Sequence, residues 1–530
     1  MHPDRDFDPE RDVPCNEESL VQDLGLDALF EAMARGDAFL RKVARAAVLS
    51  SLTDVQAIAY RQEALSDCLQ HEAVVRELYA VAVASIDGER KVWRGLFIER
   101  HPEAMLHNSL AVLELLLGML RGLRRIADLQ AGPFQSQGFT TLFRMLRQEL
   151  DDRYFEVVAD HLRELRFRHG ILISAQLVTG NKGGHYTLRR PGPGQRRWGE
   201  RIRSAVRSPY SMEISERDEA GHRALAELRD RGLNSVADAL AQATDHIVSF
   251  FGMLRQELAF YVGCLNLRAE LEPRGEPICL PVAVPGERPA LRARGLYDAC
   301  LALRVDRPLV GNDVDADGRS LVMVTGANQG GKSTFLRSVG AAQLMFQCGM
   351  FVPAASYSAT VCSGLFTHYQ REEDDTMRRG KFDEELHRMS DIVDHLSRGG
   401  MVLFNESFSG TNEREGSEIA RQVIRALLEA GIRVFFVTHF FELAHSLHRQ
   451  GLPTAVFLRA QRRPDGERTF RVVEGEPLPT SYGEDVYRRV FSDRGAPQGP
   501  GAERRRPPTA LDRAAGGARP GAPPGPEGRP

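Results

Sequence analysis

Nine consecutive residues, Gly326, Ala327, Asn328, Gln329, Gly330, Gly331, Lys332, Ser333 and Thr334, follow the pattern G-x-x-x-x-G-K-[ST]. Glycines let the main chain curl until its N–H groups face a phosphate, and a helix N-terminus behind them adds partial positive charge. A lysine at this position reaches the β- and γ-phosphates, and the hydroxyl after it ligates Mg²⁺. The pattern has this meaning only between a strand and a helix. Leu321–Thr325 is a continuous apolar run, as a buried strand requires, and a helix is expected to open at the loop. The spacing therefore predicts ATP on residues 326–334 and Mg²⁺ on Ser333.

Hydrolysis needs an acid nearby. A second apolar run, Met401–Phe404, ends in Asn405-Glu406. The first of these positions ordinarily helps to hold the metal's water shell; Asn405 brings a neutral amide to it. Glu406 is the candidate general base. A third run, Val434–Val437, leads into Thr438-His439. A histidine at that strand end can hydrogen-bond the γ-phosphate or the attacking water. The plainer alternatives are a solvated acid and a satisfied structural histidine.

Three apolar strands alternating with helical segments from about 275 to 450 predict a doubly wound, mostly parallel sheet. The preceding half is helical in pattern. Leu142, Met145, Leu146, Leu150, Val158, Leu162 and Leu165 step by threes and fours, predicting one amphipathic helix that ends near residue 169. Ile247, Phe251, Leu254, Leu258, Tyr261 and Leu265 form a heptad seam in a helix predicted from about 216 to 268. Such a rod is expected to pair with the helix ending near 168, as a lever or as an ordinary long helical hairpin. Between them, residues 171–178 read as a strand, 180–184 as a turn and 185–188 as a return strand. The expected organisation is a disordered stretch 1–18, a helical core and lever domain 19–274 with a short basic β-hairpin insertion at about 171–215, an α/β ATPase domain 275–494, and a disordered tail 495–530 rich in Pro, Gly and Arg.

Composition excludes several classes. The 530 residues are 42% hydrophobic and 27% charged with a net charge of -3, so any nucleic-acid contact must come from a local patch. Seven cysteines stand at 15, 68, 264, 279, 300, 348 and 362, with no CxxC pair. That argues against a disulfide framework or a zinc site and fits a reducing cytoplasm. No apolar run of about 18 residues suggests a membrane span, and the charged start has no signal-peptide character.

Taken together, the three strand-end motifs resemble the MutS mismatch-repair ATPases. Thr325–Thr334 is similar to that family's TGPNMGGKST loop, and Phe351-Val-Pro-Ala354 to its VPA. Glu406–Thr411 resembles DEIGRGT, Thr438–Leu443 resembles THYFEL, and Ser481-Tyr-Gly483 resembles SYG. Upstream, Leu52–Val55 and Ile58–Arg61 are similar to the opening of the family's helical core. The resemblance implies a P-loop ATPase domain that dimerises, each nucleotide site being completed by the partner. It also implies levers whose tips clamp DNA under the control of ATP.

The departures carry their own expectations. The helical core pattern begins almost at once, so the family's mismatch-reading N-terminal domain with its Phe-x-Glu wedge is expected to be absent, which puts direct mismatch recognition in question. The family's serine-rich cross-dimer segment aligns with Met377–Glu385, where Arg378, Arg379 or Lys381 would supply a cationic substitute. The adenine-stacking aromatic aligns with Leu309, implying weaker stacking. Asn405 in place of Asp implies slow hydrolysis.

Lys182, Arg189, Arg190, Arg196, Arg197, Arg201, Arg203 and Arg207 stand against Glu200 alone, at the expected lever tip. Neutralising phosphates, they would give sequence-independent, salt-sensitive DNA binding, with Tyr186 and Trp198 available for stacking. A solvated basic loop is the alternative. Two functions remain open: an ATPase that clamps DNA as a homodimer, or a nucleotide-driven switch of the same fold acting on a protein. A transporter- or chromosome-type ATPase is disfavoured, because no LSGGQ sequence and no membrane span are present.

Overall fold

The computed structural model describes all residues except 11–13, 95–101, 168–170, 180–181, 190–213, 216, 287, 372–379, 464–465 and 479–530. The expected tail, the SYG segment and most of the basic stretch fall outside the described residues.

The first half is helical: α1 Glu17–Leu24, α2 Asp27–Ala34, α3 Ala38–Leu49, α4 Val55–Gln70, α5 Glu72–Arg94, α6 Pro102–Gln130, α7 Gln137–Glu149 and α8 Asp152–Leu165. Side-chain caps define several starts. Asp37, Asp54, Ser136 and Asp151 each accept main-chain N–H bonds at the first turn of α3, α4, α7 and α8, which satisfies donors that would otherwise have no partner. The Asp151 cap also corrects the sequence reading. The single helix expected through 142–165 is two helices, because Leu150 leaves helical geometry and Asp151 starts a new one.

Next come a two-stranded antiparallel hairpin, β1 Ile173–Val178 and β2 Lys182–Leu188, and the 53-residue helix α9 Glu219–Leu271. At 1.5 Å per residue α9 is about 80 Å long. Phe251, Leu254, Leu258, Tyr261 and Leu265 of its seam are buried. Its main partners are α5 and α6, with α2 and α3 around its C-terminal half. The expected pairing with the helix ending near 168 is therefore corrected: α8 is short, and α6, at 29 residues, is long enough to follow the rod. The hairpin lies against α9, with Ile173 over Gly232; a Cβ there would sit 2.4 Å from the Ile173 side chain.

The start of the chain is also corrected. Residues 1–18 were expected to be disordered, yet Met1 and Phe7 are buried. The Phe7 N–H donates to Glu257 Oε1 at 2.7 Å, and the Met1 carbonyl accepts from Arg61 Nε at 2.8 Å. Two apolar side chains in an acidic stretch are enough to anchor it beside a buried arginine.

The second half contains β3 Val282–Ala283, β4 Leu291–Leu296, α10 Ala299–Ala302, β5 Asn312–Asp315, β6 Leu321–Gly326, α11 Lys332–Gln347, β7 Ser356–Ala359, β8 Leu365–Tyr369, α12 Lys381–His395, β9 Met401–Asn405, α13 Glu413–Glu429, β10 Arg433–Val437, α14 Phe441–Arg449, β11 Ala455–Arg462 and β12 Arg468–Glu474. Six strands form one sheet in the order β12-β11-β6-β10-β9-β8, parallel except for β12. A second, mixed sheet, β3-β7-β4-β5, has no counterpart in the sequence reading, because its strands are only two to six residues long. Residues 1–481 form one compact unit. Helix α11 joins its halves: Gln347 Nε2 donates to the Leu52 carbonyl at 3.1 Å, and the Leu52 N–H donates back to the Gln347 carbonyl at 3.0 Å.

Candidate functional site

Parallel strands that all point the same way bring their C-terminal ends to one edge. Here β6, β10 and β9 are neighbours, and their ends deliver the loop 326–331, Thr438-His439 and Asn405-Glu406. The turn after β6 works only with glycine at key points. Gly326 has φ +107°, and a Cβ on it would lie 2.9 Å from the Ala460 nitrogen; Gly331 has φ +92° and begins α11. A side chain at Gly330 would meet the Ala327 carbonyl at 2.8 Å. The curl is thus a cradle that side chains would fill.

A cavity of about 680 Å³ opens above the loop, within the range of small-molecule sites. Asn328, Gln329, Gly330, Gly331, Lys332, Ser333, Thr334, Glu406 and His439 line it. Gly326 and Ala327 sit beneath; their carbonyls accept from Lys332 Nζ at 3.1 and 3.2 Å. Burial lowers the Lys332 pKa, Glu406 opposes that shift, and Arg468 adds to it. The Ser333 hydroxyl donates to Asn405 Oδ1 at 2.9 Å. His439 Nδ1 lies 3.9 Å from Glu406 Oε2. The sequence-chosen residues therefore converge. The donor set around Ser333 and Asn405 is oxygen, as a hard cation such as Mg²⁺ prefers.

Glu406 and Phe408 both adopt left-handed main-chain geometry, φ +55° and +64°. Non-glycine residues there cost about 1–2 kcal/mol each. The turn is held by the Glu406 N–H donating to the Val437 carbonyl at 2.9 Å and by Phe408, which is fully buried.

Leu309 lies in the cavity wall, as do Tyr297, Arg307, Pro308 and Phe470. Sequence reasoning missed Phe470. The β11–β12 ladder slips between Ala460 and Arg462, and Phe470 adopts φ +58° in the resulting bulge. A Cβ added at Gly331 would lie 3.6 Å from the Phe470 Cα. No local sequence signal marks a bulge of this kind.

Of the basic stretch, Arg189 is described: its Nε donates to Ser174 Oγ at 2.9 Å. Lys182 begins β2, and nothing is assigned to its side chain. Arg190, Arg196, Arg197, Arg201, Arg203, Arg207 and Trp198 lie outside the described residues, as do Arg378 and Arg379. Tyr186 is engaged by Arg231, whose guanidinium stands 5.8 Å from its ring centre.

Comparison with known proteins completes the picture. Residues 53–274 match the MutS2 N-terminal domain, and residues 322–492 match MutS domain V. The chain belongs to the MutS family. The DNA mismatch repair protein MutS of Thermotoga petrophila is 34% identical over 185 residues, which is 34% of this chain and 23% of that protein. MutS protein homolog 4 of Homo sapiens is 30% identical over 152 residues, 29% of this chain and 16% of the relative. The MutS of Leptospira interrogans is 30% identical over 172 residues, 32% of this chain and 20% of the relative. The chain thus matches less than a quarter of the length of each of these relatives. The chain has a helical part and an α/β part with parallel strands, and the MutS domain V match covers most of the α/β part. No helix among the described residues is long and apolar enough to cross a membrane.

Proposed function

We propose that this MutS-family chain is an ATPase that couples ATP binding and hydrolysis to clamping on DNA. One observation carries the reading: Lys332, Ser333, Glu406 and His439 line a single cavity over a glycine cradle, with Asn405 bonded to Ser333. In this reading residues 326–334 hold the triphosphate, and Lys332 exchanges its two loop carbonyls for phosphate oxygens. Ser333 and Asn405 would hold Mg²⁺, which when bound neutralises phosphate charge. Glu406 takes the proton of the attacking water, and His439 orients that water or the γ-phosphate. With a neutral Asn405 beside the metal, turnover is slow. Domain pairing as a homodimer would complete each site, with Lys381, Arg378 or Arg379 reaching the partner. The basic stretch would meet DNA phosphates, and a cytoplasmic location accompanies these roles.

The mechanical connection is supported by packing. Helix α11 starts at the phosphate loop and ends against the α3–α4 junction, and both of those helices pack on α9. A shift at the loop therefore has a solid path to the 80 Å rod.

Two measurements test the proposal. Glu406→Ala should bind ATP but not turn it over; normal turnover would remove Glu406 as the base. ATPase rates should then be compared without DNA and with duplex, mismatched, branched and single-stranded DNA. Stimulation by one form supports the clamp, whereas indifference to all of them favours a switch acting on a protein partner.

A further inference from the structure

Behind the Glu406 turn lies a fully buried histidine that the proposed chemistry does not use. His368, on β8, has no solvent exposure, and Ser407 is 1% exposed. His368 Nε2 donates to the Glu385 main-chain carbonyl on α12 at 2.9 Å. A carbonyl can only accept, so this nitrogen carries the proton. Burial, reinforced by the Arg388 guanidinium, pushes the His368 pKa down to about 4, which leaves the ring neutral and Nδ1 bare. That bare nitrogen faces the Ser407 hydroxyl at 2.8 Å. The same hydroxyl lies 2.5 Å from the His368 carbonyl, so its one proton serves two acceptors of a single residue. The ring also stacks on Phe408, 5.3 Å between centres and 20° between planes.

Ser407 is the residue between the two left-handed positions, Glu406 and Phe408. A strained turn keeps its shape only if its surroundings over-determine it, and His368 grips it at both the serine and the phenylalanine. The other end of the link is α12, which touches the turn a second time: the Gly410 N–H donates to Glu385 Oε2 at 3.4 Å. Helix α12 opens at Lys381, four residues before Glu385.

We propose that His368 is a positioning residue for Glu406, bridging the Ser407 turn to α12 so that the direction of the carboxylate follows that helix. This rests on Glu406 as the general base. It makes the catalytic geometry sensitive to whatever holds α12. The residue acts without touching the nucleotide, so its signature is a loss of turnover at unchanged affinity.

The test uses the full chain with Mg²⁺, measuring kcat by phosphate release and affinity with a non-hydrolysable ATP analogue. His368→Phe keeps an aromatic ring and removes both bonds; Ser407→Ala removes a single oxygen and spares the core. Each should lower kcat about tenfold or more, because small misplacements of a catalytic group are costly, with analogue affinity within about threefold. His368→Asn, whose amide falls near the Nδ1 position, should recover more of kcat than Phe does. In a Glu406→Gln background, His368→Phe should cause no further loss. Unchanged kcat in both His368→Phe and Ser407→Ala overturns the proposal. So does a parallel fall of kcat, affinity and melting temperature, or a further loss in the Glu406→Gln background. If Glu406→Gln itself turns over normally, it is the base assignment that has failed, independently of His368.

Discussion

The loop 326–334 and the basic stretch 182–207 are both proposed to meet phosphates, but they are made of different materials. In the loop the expected phosphate contact is mostly main-chain, along glycines whose φ angles and close contacts admit no side chain. One lysine, already held by two carbonyls, completes it. In the basic stretch the charge sits on arginine side chains, and the one described, Arg189, is bonded to a serine hydroxyl rather than to an acid. A site built from backbone has one geometry and one ligand class. A site built from side-chain cations has neither, and it binds any polyanion in proportion to counterions released. The comparison teaches that only the first can specify a triphosphate, while the second can only add affinity for a polymer.

The largest expected effect breaks the loop. Lys332→Ala removes its one mobile charge, and loss of the charged hydrogen bonds should weaken ATP binding by about a hundredfold or more. Titration calorimetry with ATP and Mg²⁺ checks this. Affinity within threefold of the parent would mean that the backbone alone carries the site.

Next in size is the basic stretch. Changing Arg196, Arg197, Arg201 and Arg203 together to glutamine should leave ATP affinity alone and weaken duplex binding. The slope of log affinity against log salt should fall by as much as about three to four, near 0.9 per lost phosphate contact. An unchanged slope would reduce the stretch to a solvated loop and sharpen the contrast with 326–334 into one between function and solubility.

The same contrast explains what could be read before the structure. The three strands behind the site are continuous apolar runs, and glycine spacing encodes the curl itself, so the meeting of Lys332, Ser333, Asn405, Glu406 and His439 at one sheet edge was legible. Legibility failed where structure depends on partners distant in sequence. The break at Leu150 needs the Asp151 cap, which no periodicity announces. Met1 and Phe7 are buried only because Arg61 and Glu257 wait 60 and 250 residues away. The grip of His368 on Ser407 spans 39 residues and two adjacent strands. The small second sheet is assembled from strands too short to show alternation.

A change of one atom pair tests the metal side of the loop. Asn405→Asp keeps the shape of the acceptor for the Ser333 hydroxyl, 2.9 Å away, and adds a negative charge. The Mg²⁺ concentration needed for half-maximal turnover should drop about tenfold, and turnover should rise, since a carboxylate serves a hard cation better than an amide does. A fall in turnover would mean that the amide is matched to Glu406, whose like charge stands next to it in sequence.

The smallest effect concerns the base. The family's stacking aromatic aligns with Leu309, yet the cavity wall also holds Phe470, which is 41% exposed and turned toward the loop by its bulge. If adenine rests on that ring, Phe470→Ala should weaken ATP about fivefold, the lower end of what base–aromatic stacking contributes, because the side chain is exposed to water. Inorganic triphosphate has no base to stack and should bind both forms alike, which separates a stacking loss from damage to the glycine cradle beneath. Leu309→Ala should cost less than Phe470→Ala. The reverse order would place the base on the aliphatic wall and leave Phe470 as a prop beside Gly331, where an added Cβ would lie 3.6 Å from the Phe470 Cα.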